Sequence, residues 1–226
     1  AHPLLDREGG LLAHQVRVGV APVAGDRPQR FEAILAEHQQ LADQVIATGQ
    51  VVGMAVAIVK DGKVASAKAR GVLDASTLEP AGNASAFRIA SLSKAFASAL
   101  AARLVEERYL EWDEPVQQLV PSFELSDAHQ ASRLTIRELL SQRTGLPYNA
   151  LDKTLEASDE SSPLLVWRLR SQPMICPVGA CYAYQNVAYS VIGDITFAST
   201  GDFYAHKVVR QIFLPLGMKR ASFGLD

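Results

Sequence analysis

One β-hairpin signal stands among many helical patterns, and this imbalance limits the folds that the chain can adopt. Strand-like runs at 53–60 and 63–65 flank Asp61-Gly62. Asp-Gly favours the positive φ angles of a tight hairpin turn. Because an isolated two-stranded hairpin is only marginally stable in water, this hairpin needs a larger sheet. We expect the additional strands either beyond Asp226 or in a partner chain, and we favour the first source.

Helical patterns account for most of the remaining sequence. Apolar residues recur at helical spacing over 31–47, and Ala and Leu dominate 95–108. Thr135 and Glu138 have the spacing of a capping box at the start of a short helix. Three more helices are predicted to begin at Ser162-Pro163, at Asn186, which would cap a helix reaching Thr200-Gly201, and at Asp202, which would cap a helix reaching Phe213.

The composition argues against several classes of function. With 226 residues, of which 48% are hydrophobic, the chain can bury a sizeable core in one domain or in one domain with an insertion. Its net charge is −2 and its Lys and Arg residues form no basic run, so we expect no nucleic-acid partner. No apolar stretch approaches the ~18 residues that cross a bilayer, so we expect no transmembrane segment. The five histidines are scattered, which argues against a metal-dependent hydrolase.

The first residues and the cysteines bear on where the protein works. Residues 1–10 lack the basic and apolar regions of a secretion signal, and they also lack an initiator Met. The chain therefore looks processed, which leaves a removed export signal open. Cys176 and Cys181 either form a short disulfide loop, as in an oxidising compartment, or stay as two half-buried thiols, and their spacing does not decide between these states.

Ser91 and Lys94 are the first candidates for chemistry. They lie where a loop enters an Ala-rich helical run, and residues three apart on a helix are neighbours, so the two side chains should face each other. A serine hydroxyl needs a base, and a lysine can serve only when neutral, a form that burial and the positive end of a helix favour. The backbone N–H of Ser91 could donate to a developing oxyanion. Ser-x-x-Lys alone is a weak motif, and the alternative is a helix-capping Ser91 with a solvent-exposed Lys94.

Tyr184 and Asn186 are the second candidate pair. They precede a predicted helix, which would place a phenol and an amide close together. A phenol near a lysine can be held partly ionised and can carry the proton of the serine. An amide can both donate to and accept from a substrate amide. In the alternative interpretation, Asn186 only caps the helix and the ring of Tyr184 only packs.

Five stretches of the sequence, in order, resemble the serine β-lactamase/penicillin-binding protein superfamily, in its class C β-lactamase-like and family VIII esterase-like branch. Phe87-Arg-Ile-Ala-Ser91-Leu-Ser-Lys94 resembles the first motif of that family. Tyr184-Gln-Asn186, with Pro177-x-Gly179 upstream, resembles its Tyr-x-Asn motif. The stretches that resemble its scaffold are 53–62, 139–147 and 215–218. The resemblance covers nearly all of residues 31–226.

The resemblance implies a β-lactamase/transpeptidase-like fold of the α/β (α+β) class, with a mixed sheet covered by helices and an all-helical region beside it. It implies an acyl-serine intermediate with β-lactams, D-amino-acid peptides or small esters, followed by hydrolysis, and no metal or organic cofactor. By the same carry-over Ser91 is the nucleophile, and Lys94 and Tyr184 share proton transfer. Asn186 is then the substrate-binding residue. The segments that follow are an N-terminal arm (1–30), the N-terminal helix and hairpin (31–75), the all-helical region with the nucleophile helix (76–185) and helices leading back to the sheet (186–226).

The sequence departs from the family at its third motif, Lys-Thr-Gly or His-x-Gly on a strand at the sheet edge. Arg143-Thr144-Gly145 looks similar, but it precedes Tyr184, where the third motif never lies, and we reject it. We therefore expect that strand beyond Asp226, and we expect this chain by itself to lack a complete site.

Two other functions compete with the acyl-serine hydrolase. One is a catalytically silent binding or scaffold protein with the same fold, although such a protein would not need all four site residues. The other is an α/β-hydrolase esterase, which requires a Gly-x-Ser-x-Gly elbow that the sequence does not contain. For localisation we favour the periplasm or secretion over the cytoplasm, because substrates of the family often lie outside the cytoplasm and the cysteine pair is compatible with export.

Overall fold

The computed structural model describes residues 27–157 and 161–224 of the chain. These residues form two compact units, which divide between Phe87 and Arg88. Most of the predicted N-terminal arm, residues 1–30, lies outside the described residues. The division into four segments stays a prediction.

A helix and a hairpin make up the first unit. Its elements are α1 (Arg27–Ala47), β1 (Gly53–Lys60) and β2 (Lys63–Gly71). The two strands pair antiparallel, with a bulge at Ile58/Val59, and they form the one sheet in the described part of the chain. Asp61 and Gly62 make the turn with φ angles of 51° and 70°, as a two-residue turn of this kind requires. The predicted hairpin is therefore confirmed, and the helix predicted over 31–47 lies within α1.

Side chains of β2 hold α1 against the hairpin. Lys68 Nζ donates to Gln39 Oε1 at 2.8 Å, and Gln39 Nε2 donates to Ser66 Oγ at 3.2 Å. Arg70 forms an ion pair with Asp43. The three β2 residues alternate along the strand, so they share the face that meets the helix.

Short helices surround one longer helix in the second unit. The elements in order are a 3₁₀ turn (Ala90–Leu92), α2 (Ser93–Glu106), α3 (Val116–Leu119), α4 (Ala128–Arg133), α5 (Ile136–Leu140), α6 (Asp152–Ala157), α7 (Ser162–Arg168), a second 3₁₀ turn (Leu169–Ser171), α8 (Val187–Ser190), α9 (Ile192–Thr200), α10 (Tyr204–Val208) and a π-helical turn (Val209–Phe213). None of the helices in the described ranges combines the length and the hydropathy that a bilayer crossing needs.

The hydrophobic core of this unit fixes α2. Leu100 and Leu104 of α2 are fully buried, and they belong to the same apolar cluster as the buried Phe123. The ring of Phe96 meets the ring of Phe213 edge-on, with centroids 5.5 Å apart. Burying side chains of this size stabilises the fold by roughly 1.5–3 kcal/mol each. The core therefore holds α2 firmly in place, and with it Lys94 in the first turn of the helix.

Two of the predicted helix starts are confirmed. Thr135 caps α5, and its side chain shares a complete capping box with Glu138. Pro163 lies in the first turn of α7, where its missing N–H costs nothing. The last predicted helix also ends near Phe213, as expected, although its final turn is π-helical.

Two predicted caps are wrong. Asn186 precedes α8, but its side chain makes no capping hydrogen bond, because side chains of two other elements hold its amide. Asp202 lies one residue too early to cap α10, which Phe203 precedes. The Asp202 carboxylate instead accepts from the Phe203 backbone N–H at 2.9 Å and pairs with His206 and Arg210. At Asn186 the competing partners are distant in the sequence, whereas at Asp202 they lie within eight residues.

Candidate active site

Ser91 lies on a sharp turn directly before the N-terminus of α2. It is the middle residue of the 3₁₀ turn Ala90–Leu92, and it is exposed. The residue before it, Ala90, has a φ of 44°. For a residue with a Cβ, such a left-handed conformation costs roughly 1–3 kcal/mol of strain. Positions of this kind cluster at functional sites. The turn presents the hydroxyl at the surface of the second unit.

The ammonium nitrogen of Lys94 has three oxygen partners. It donates to Ser91 Oγ at 3.3 Å, to the Tyr184 hydroxyl at 2.7 Å and to Asn186 Oδ1 at 2.5 Å. A protonated lysine has three N–H donors and no acceptor, so the three oxygens match its charged form. Nζ also lies 4.6 Å from the ring centroid of Tyr184 and 5.6 Å from that of Tyr189, within the range of a cation–π attraction.

The phenol of Tyr184 closes a triangle with Ser91 and Lys94. Its hydroxyl donates to Ser91 Oγ at 2.6 Å while it accepts from Lys94. Burial raises the pKa of Tyr184, but the hydrogen bonds with Lys94 and Ser91 and the positive charge of Lys94 together outweigh burial and set the pKa below 10.0. Asp152 acts in the opposite direction, because its negative charge disfavours the phenolate.

Asn186 connects this triangle to a buried acid. Its Oδ1 accepts from Lys94, and its Nδ2 donates to Asp152 Oδ2 at 2.6 Å. Asp152 is the first residue of α6 and is buried, with 8% of its surface exposed. The amide oxygen is therefore engaged within the protein. One of the two Nδ2 hydrogens is left for another acceptor.

Backbone hydrogen bonds hold the segment before Tyr184 against residues 143–145. The N–H groups of Ile175 and Gly179 donate to the carbonyl oxygens of Gly145 and Arg143, both at 2.9 Å. Gly145 has a φ of 83°, and a Cβ on it would lie 2.4 Å from Cys176 O. Close approach of the two segments thus requires glycine at this position. The segment Arg143-Thr144-Gly145, which we rejected as a third motif, serves here as scaffold.

The two cysteines form a disulfide. Cys176 and Cys181 are bonded, with their Cα atoms 6.3 Å apart, which decides between the two states that the spacing left open. The bridge closes a short loop just before Tyr184, and the loop also receives a hydrogen bond from Arg143 to Gly179 O. The disulfide therefore braces the segment that carries the phenol.

Gln185, the middle residue of the Tyr-Gln-Asn stretch, points into the protein. Its side chain is fully buried, and its Nε2 donates to Pro147 O at 2.5 Å. Its backbone N–H donates to Gln142 Oε1 at 2.8 Å. These contacts anchor the stretch to the segment that follows α5. Gln185 therefore supports the position of Tyr184 and Asn186, and its buried side chain is not placed to contact a ligand.

Tyr189 ties α8 to the first turn of α2. Its hydroxyl donates to Lys94 O at 2.9 Å, so the 2.8 Å hydrogen bond with Ser98 has the serine as donor. Burial raises the pKa of Tyr189, and the nearby Tyr184 adds to this rise. Tyr189 is therefore held as a neutral phenol that supports the backbone carrying Lys94.

All four residues proposed from the sequence, Ser91, Lys94, Tyr184 and Asn186, meet in one hydrogen-bonded cluster. Sequence reasoning missed Asp152 and Tyr189. An acidic residue at the start of a helix is too common to single out Asp152. Tyr189 follows Tyr184 at a spacing that would place it on the helix predicted from Asn186, which is a weak signal. In the described ranges, no group of three or more His, Cys, Asp or Glu residues is placed to hold a metal ion.

Comparison with known proteins identifies the family. The model of the Beta-lactamase family matches residues 38–226. The chain belongs to the Beta-lactamase family. The expected superfamily and the β-lactamase/transpeptidase-like fold, with helices and a small antiparallel sheet, are thereby confirmed.

The proteins to which this chain is similar include a penicillin-binding protein, a hydrolase and an amidase. Penicillin-binding protein 4 of Amycolatopsis lactamdurans is 28% identical over 195 residues, which are 85% of this chain and 47% of that protein. The structure of EstCE1, a hydrolase with promiscuous acyltransferase activity, has a TM-score of 0.72 and 25% identity, over 82% of this chain and 52% of that one. D-amino acid amidase from Ochrobactrum anthropi SV3, complexed with L-phenylalanine amide, has a TM-score of 0.66 and 29% identity, over 78% and 50%. The chain spans two fifths to one half of the length of the curated relatives it matches.

Proposed function

We propose that the protein containing this chain is a serine hydrolase that forms an acyl-serine intermediate, with Ser91 as the nucleophile. The observation that carries the proposal is the hydrogen bond of 2.6 Å between the Tyr184 hydroxyl and Ser91 Oγ, with Lys94 Nζ 2.7 Å from the same hydroxyl. A serine becomes a nucleophile when a base lies within hydrogen-bond reach. Membership of a family of hydrolases adds to this geometric argument.

Tyr184 is the proposed proton acceptor, and Lys94 is the proposed source of charge that makes this possible. In the neutral state the phenol donates to Ser91. Once ionised, it can only accept, so the direction of that hydrogen bond reverses and Ser91 becomes the donor. The ammonium of Lys94, held by three oxygens, stabilises the phenolate. This assignment refines the shared proton transfer that the resemblance implies, because the lysine does not have to become neutral.

The proposed reaction has two halves. Ser91 Oγ bonds to the carbonyl carbon of the substrate while its proton passes to Tyr184. The phenol then gives that proton to the leaving nitrogen or oxygen as the bond to the carbonyl carbon breaks. Water next attacks the acyl carbon, loses a proton to Tyr184 and releases the acid, and the proton returns to Ser91 Oγ. The backbone N–H of Ser91 is the proposed donor to the oxyanion, and the remaining Nδ2 hydrogen of Asn186 is the proposed contact to the substrate.

Three classes of substrate remain candidates: β-lactams, D-amino-acid peptides or amides, and small esters. Relatives with 25–29% identity include a penicillin-binding protein, an amidase and a hydrolase with acyltransferase activity. Each class would acylate Ser91 through attack on a carbonyl carbon, so the proposed step is common to all three. No metal or organic cofactor takes part in the proposed steps.

We also propose an oxidising location, the periplasm or the extracellular space, in preference to the cytoplasm. The Cys176–Cys181 disulfide supports this location, because disulfides persist outside the reducing cytosol. Thiol alkylation in intact cells before lysis tests it. Blocking of both cysteines only after reduction is expected, whereas alkylation of both without a reductant would contradict it.

Covalent labelling tests the proposed function. The full-length protein is exposed to a penicillin and to a fluorophosphonate, and its intact mass is measured. We expect a one-to-one adduct with at least one reagent, and we expect its loss in Ser91→Ala. Ser93→Ala is the matched control, because Ser93 is an exposed serine of the next turn and should label as wild type does. Unchanged labelling of Ser91→Ala would overturn the proposal.

A further inference from the structure

Asp152 is a buried acid that the proposed steps do not use. Only 8% of its surface is exposed, and its Oδ1 has no hydrogen-bond partner within the described part of the chain. An unsatisfied polar atom in a buried position typically costs roughly 1–3 kcal/mol. Such atoms are uncommon in native proteins, so the position of Asp152 calls for a structural or functional explanation.

The backbone that delivers Asp152 is strained. Asn149 and Leu151 have φ angles of 55° and 67°, in the left-handed region, which an apolar residue such as leucine rarely enters. The Asn149 N–H donates to Tyr184 O at 2.8 Å, and the Asp152 N–H donates to Asn149 O at 3.0 Å. The strained turn is therefore anchored on the backbone of the proposed proton acceptor, which sets Asp152 in register with Asn186.

The side-chain amide of Asn186 has two orientations that differ by exchange of its oxygen and nitrogen. A carboxylate has only acceptors, so the contact of Asp152 with Asn186 requires the nitrogen on its side. The oxygen then faces Lys94. In the other orientation an NH₂ group would face an ammonium, and the two groups would repel each other. Asp152 and Lys94 therefore select the same orientation of the Asn186 amide.

We propose that Asp152 is a positioning residue, which fixes the amide of Asn186 so that Lys94 stays directed at Ser91 and Tyr184. This proposal rests on the proposed function, and it adds a residue that neither the sequence motif nor the relatives' names indicate. The carboxylate has a second effect through its charge. Its negative charge acts to raise the pKa of Tyr184 and so opposes the action of Lys94 on that phenol.

Two substitutions separate the hydrogen bond from the charge. Asp152→Asn removes the charge, but its side-chain oxygen can still accept from Asn186 Nδ2. Asp152→Ala removes both. Lys153→Ala, an exposed neighbour on the same helix, is the matched control. We measure the second-order rate of fluorophosphonate or penicillin labelling as a function of pH, and thermal unfolding of each variant.

Asp152→Ala should label about 10- to 100-fold more slowly than wild type, because small misplacement of reacting groups costs rates of this order. Asp152→Asn should stay within about threefold of wild type at its optimum, with no loss of thermal stability, since it removes a poorly compensated buried charge. The rising limb of the pH–rate profile of Asp152→Asn should lie at lower pH than that of wild type, because loss of the carboxylate lets Tyr184 ionise more readily. Lys153→Ala should match wild type in every measurement.

The side-chain amide signals of Asn186 in ¹H–¹⁵N NMR spectra give a readout that does not depend on activity. We expect them to shift in Asp152→Ala and to stay closer to wild type in Asp152→Asn. A folded Asp152→Ala that labels at the wild-type rate would overturn the positioning role, and so would Asn186 signals that do not respond to it. If Asp152→Ala does not fold, Asp152→Asn decides instead. An Asp152→Asn protein that labels about 10- to 100-fold more slowly than wild type, with an unshifted pH profile, would overturn the positioning role. Absence of labelling in wild type would reject the proposed function, and the NMR comparison would still decide the role of Asp152.

Discussion

The hydroxyl oxygen of Tyr184 lies 2.6 Å from Ser91 Oγ, although 93 positions separate the two residues in the chain. The contact joins the turn before α2 to the loop before α8. Lys94 donates to both oxygens, so a phenol, an amine and a serine form one closed set of hydrogen bonds. Each side chain limits the positions open to the other two, which is the preorganisation that nucleophilic catalysis requires.

Replacing Tyr184 by phenylalanine removes the proposed proton acceptor and keeps the ring. We expect the rate of acylation to fall about 10²- to 10⁴-fold, the usual contribution of a general acid–base residue. Tyr184 is only half-buried, so the free energy of unfolding should change little. Stopped-flow or quenched labelling with a chromogenic penicillin or ester measures the rate. A Tyr184→Phe protein that labels within threefold of wild type would mean that another group takes the proton.

The pH dependence of acylation should follow Tyr184. Burial raises the pKa of this phenol, but its hydrogen bonds with Lys94 and Ser91 and the charge of Lys94 outweigh burial, so its pKa lies below 10.0. In the proposed mechanism the phenolate is the active form, so the rate should rise with pH and level off before the pH at which a free tyrosine ionises. The second-order labelling rate over pH 5–10 tests this. The rising limb should disappear in Tyr184→Phe, and its persistence there would assign it to a different group.

The disulfide should stabilise the loop without being essential for chemistry. Opening a loop as short as Cys176–Cys181 costs about 2 kcal/mol by the chain-entropy relation. The double variant Cys176→Ser/Cys181→Ser should lose about this much free energy of unfolding in urea. The backbone hydrogen bonds to Arg143 and Gly145 remain, so acylation should slow by less than tenfold. Equal stability of the oxidised protein and the double variant would show that the bridge does not brace this segment.

Tyr204 should make the protein sensitive to alkali. Burial raises the pKa of Tyr204 to about 12, with a smaller contribution from Tyr189. The neutral phenol is thus favoured by folding, so its contribution is complete below about pH 10 and is lost as the pH rises towards 12. Because the side chain is only partly buried, solvent screening keeps the contribution below the roughly 2–3 kcal/mol that the full change in pKa would give. Urea unfolding at pH 8 and pH 11 should show a smaller loss for Tyr204→Phe than for wild type, and identical losses would contradict the assignment.

Local sequence patterns predicted those parts of the fold that depend on neighbours in the chain. The turn at Asp61-Gly62 and the capping box of Thr135 follow from backbone preferences, and both are present. The proximity of Ser91 and Lys94 follows from helical spacing, and it is also present. In each case the partners lie within four residues of each other, so no knowledge of tertiary structure was needed.

Long-range contacts account for what the sequence could not reveal. The cap predicted for Asn186 is wrong because Lys94 and Asp152, from other elements, hold its amide, which makes no capping hydrogen bond. Asp152 belongs to no motif that the sequence analysis used. Its proposed role depends on a turn and on contacts that only the tertiary structure reveals. The disulfide likewise required the positions of both Cα atoms. The encounter of Tyr184 with Ser91 was expected only through the resemblance to a family, and not from spacing.

The site of acylation tests the central claim most directly. Trypsin cleaves after Arg88 and Lys94, so the labelled protein yields a peptide of residues 89–94 that contains both Ser91 and Ser93. Fragmentation of this peptide distinguishes the two serines. We predict that the acyl or phosphonyl group is on Ser91 and that it forms much more slowly in Tyr184→Phe. A label on Ser93 or on any residue outside this peptide, at the wild-type rate, would contradict the account.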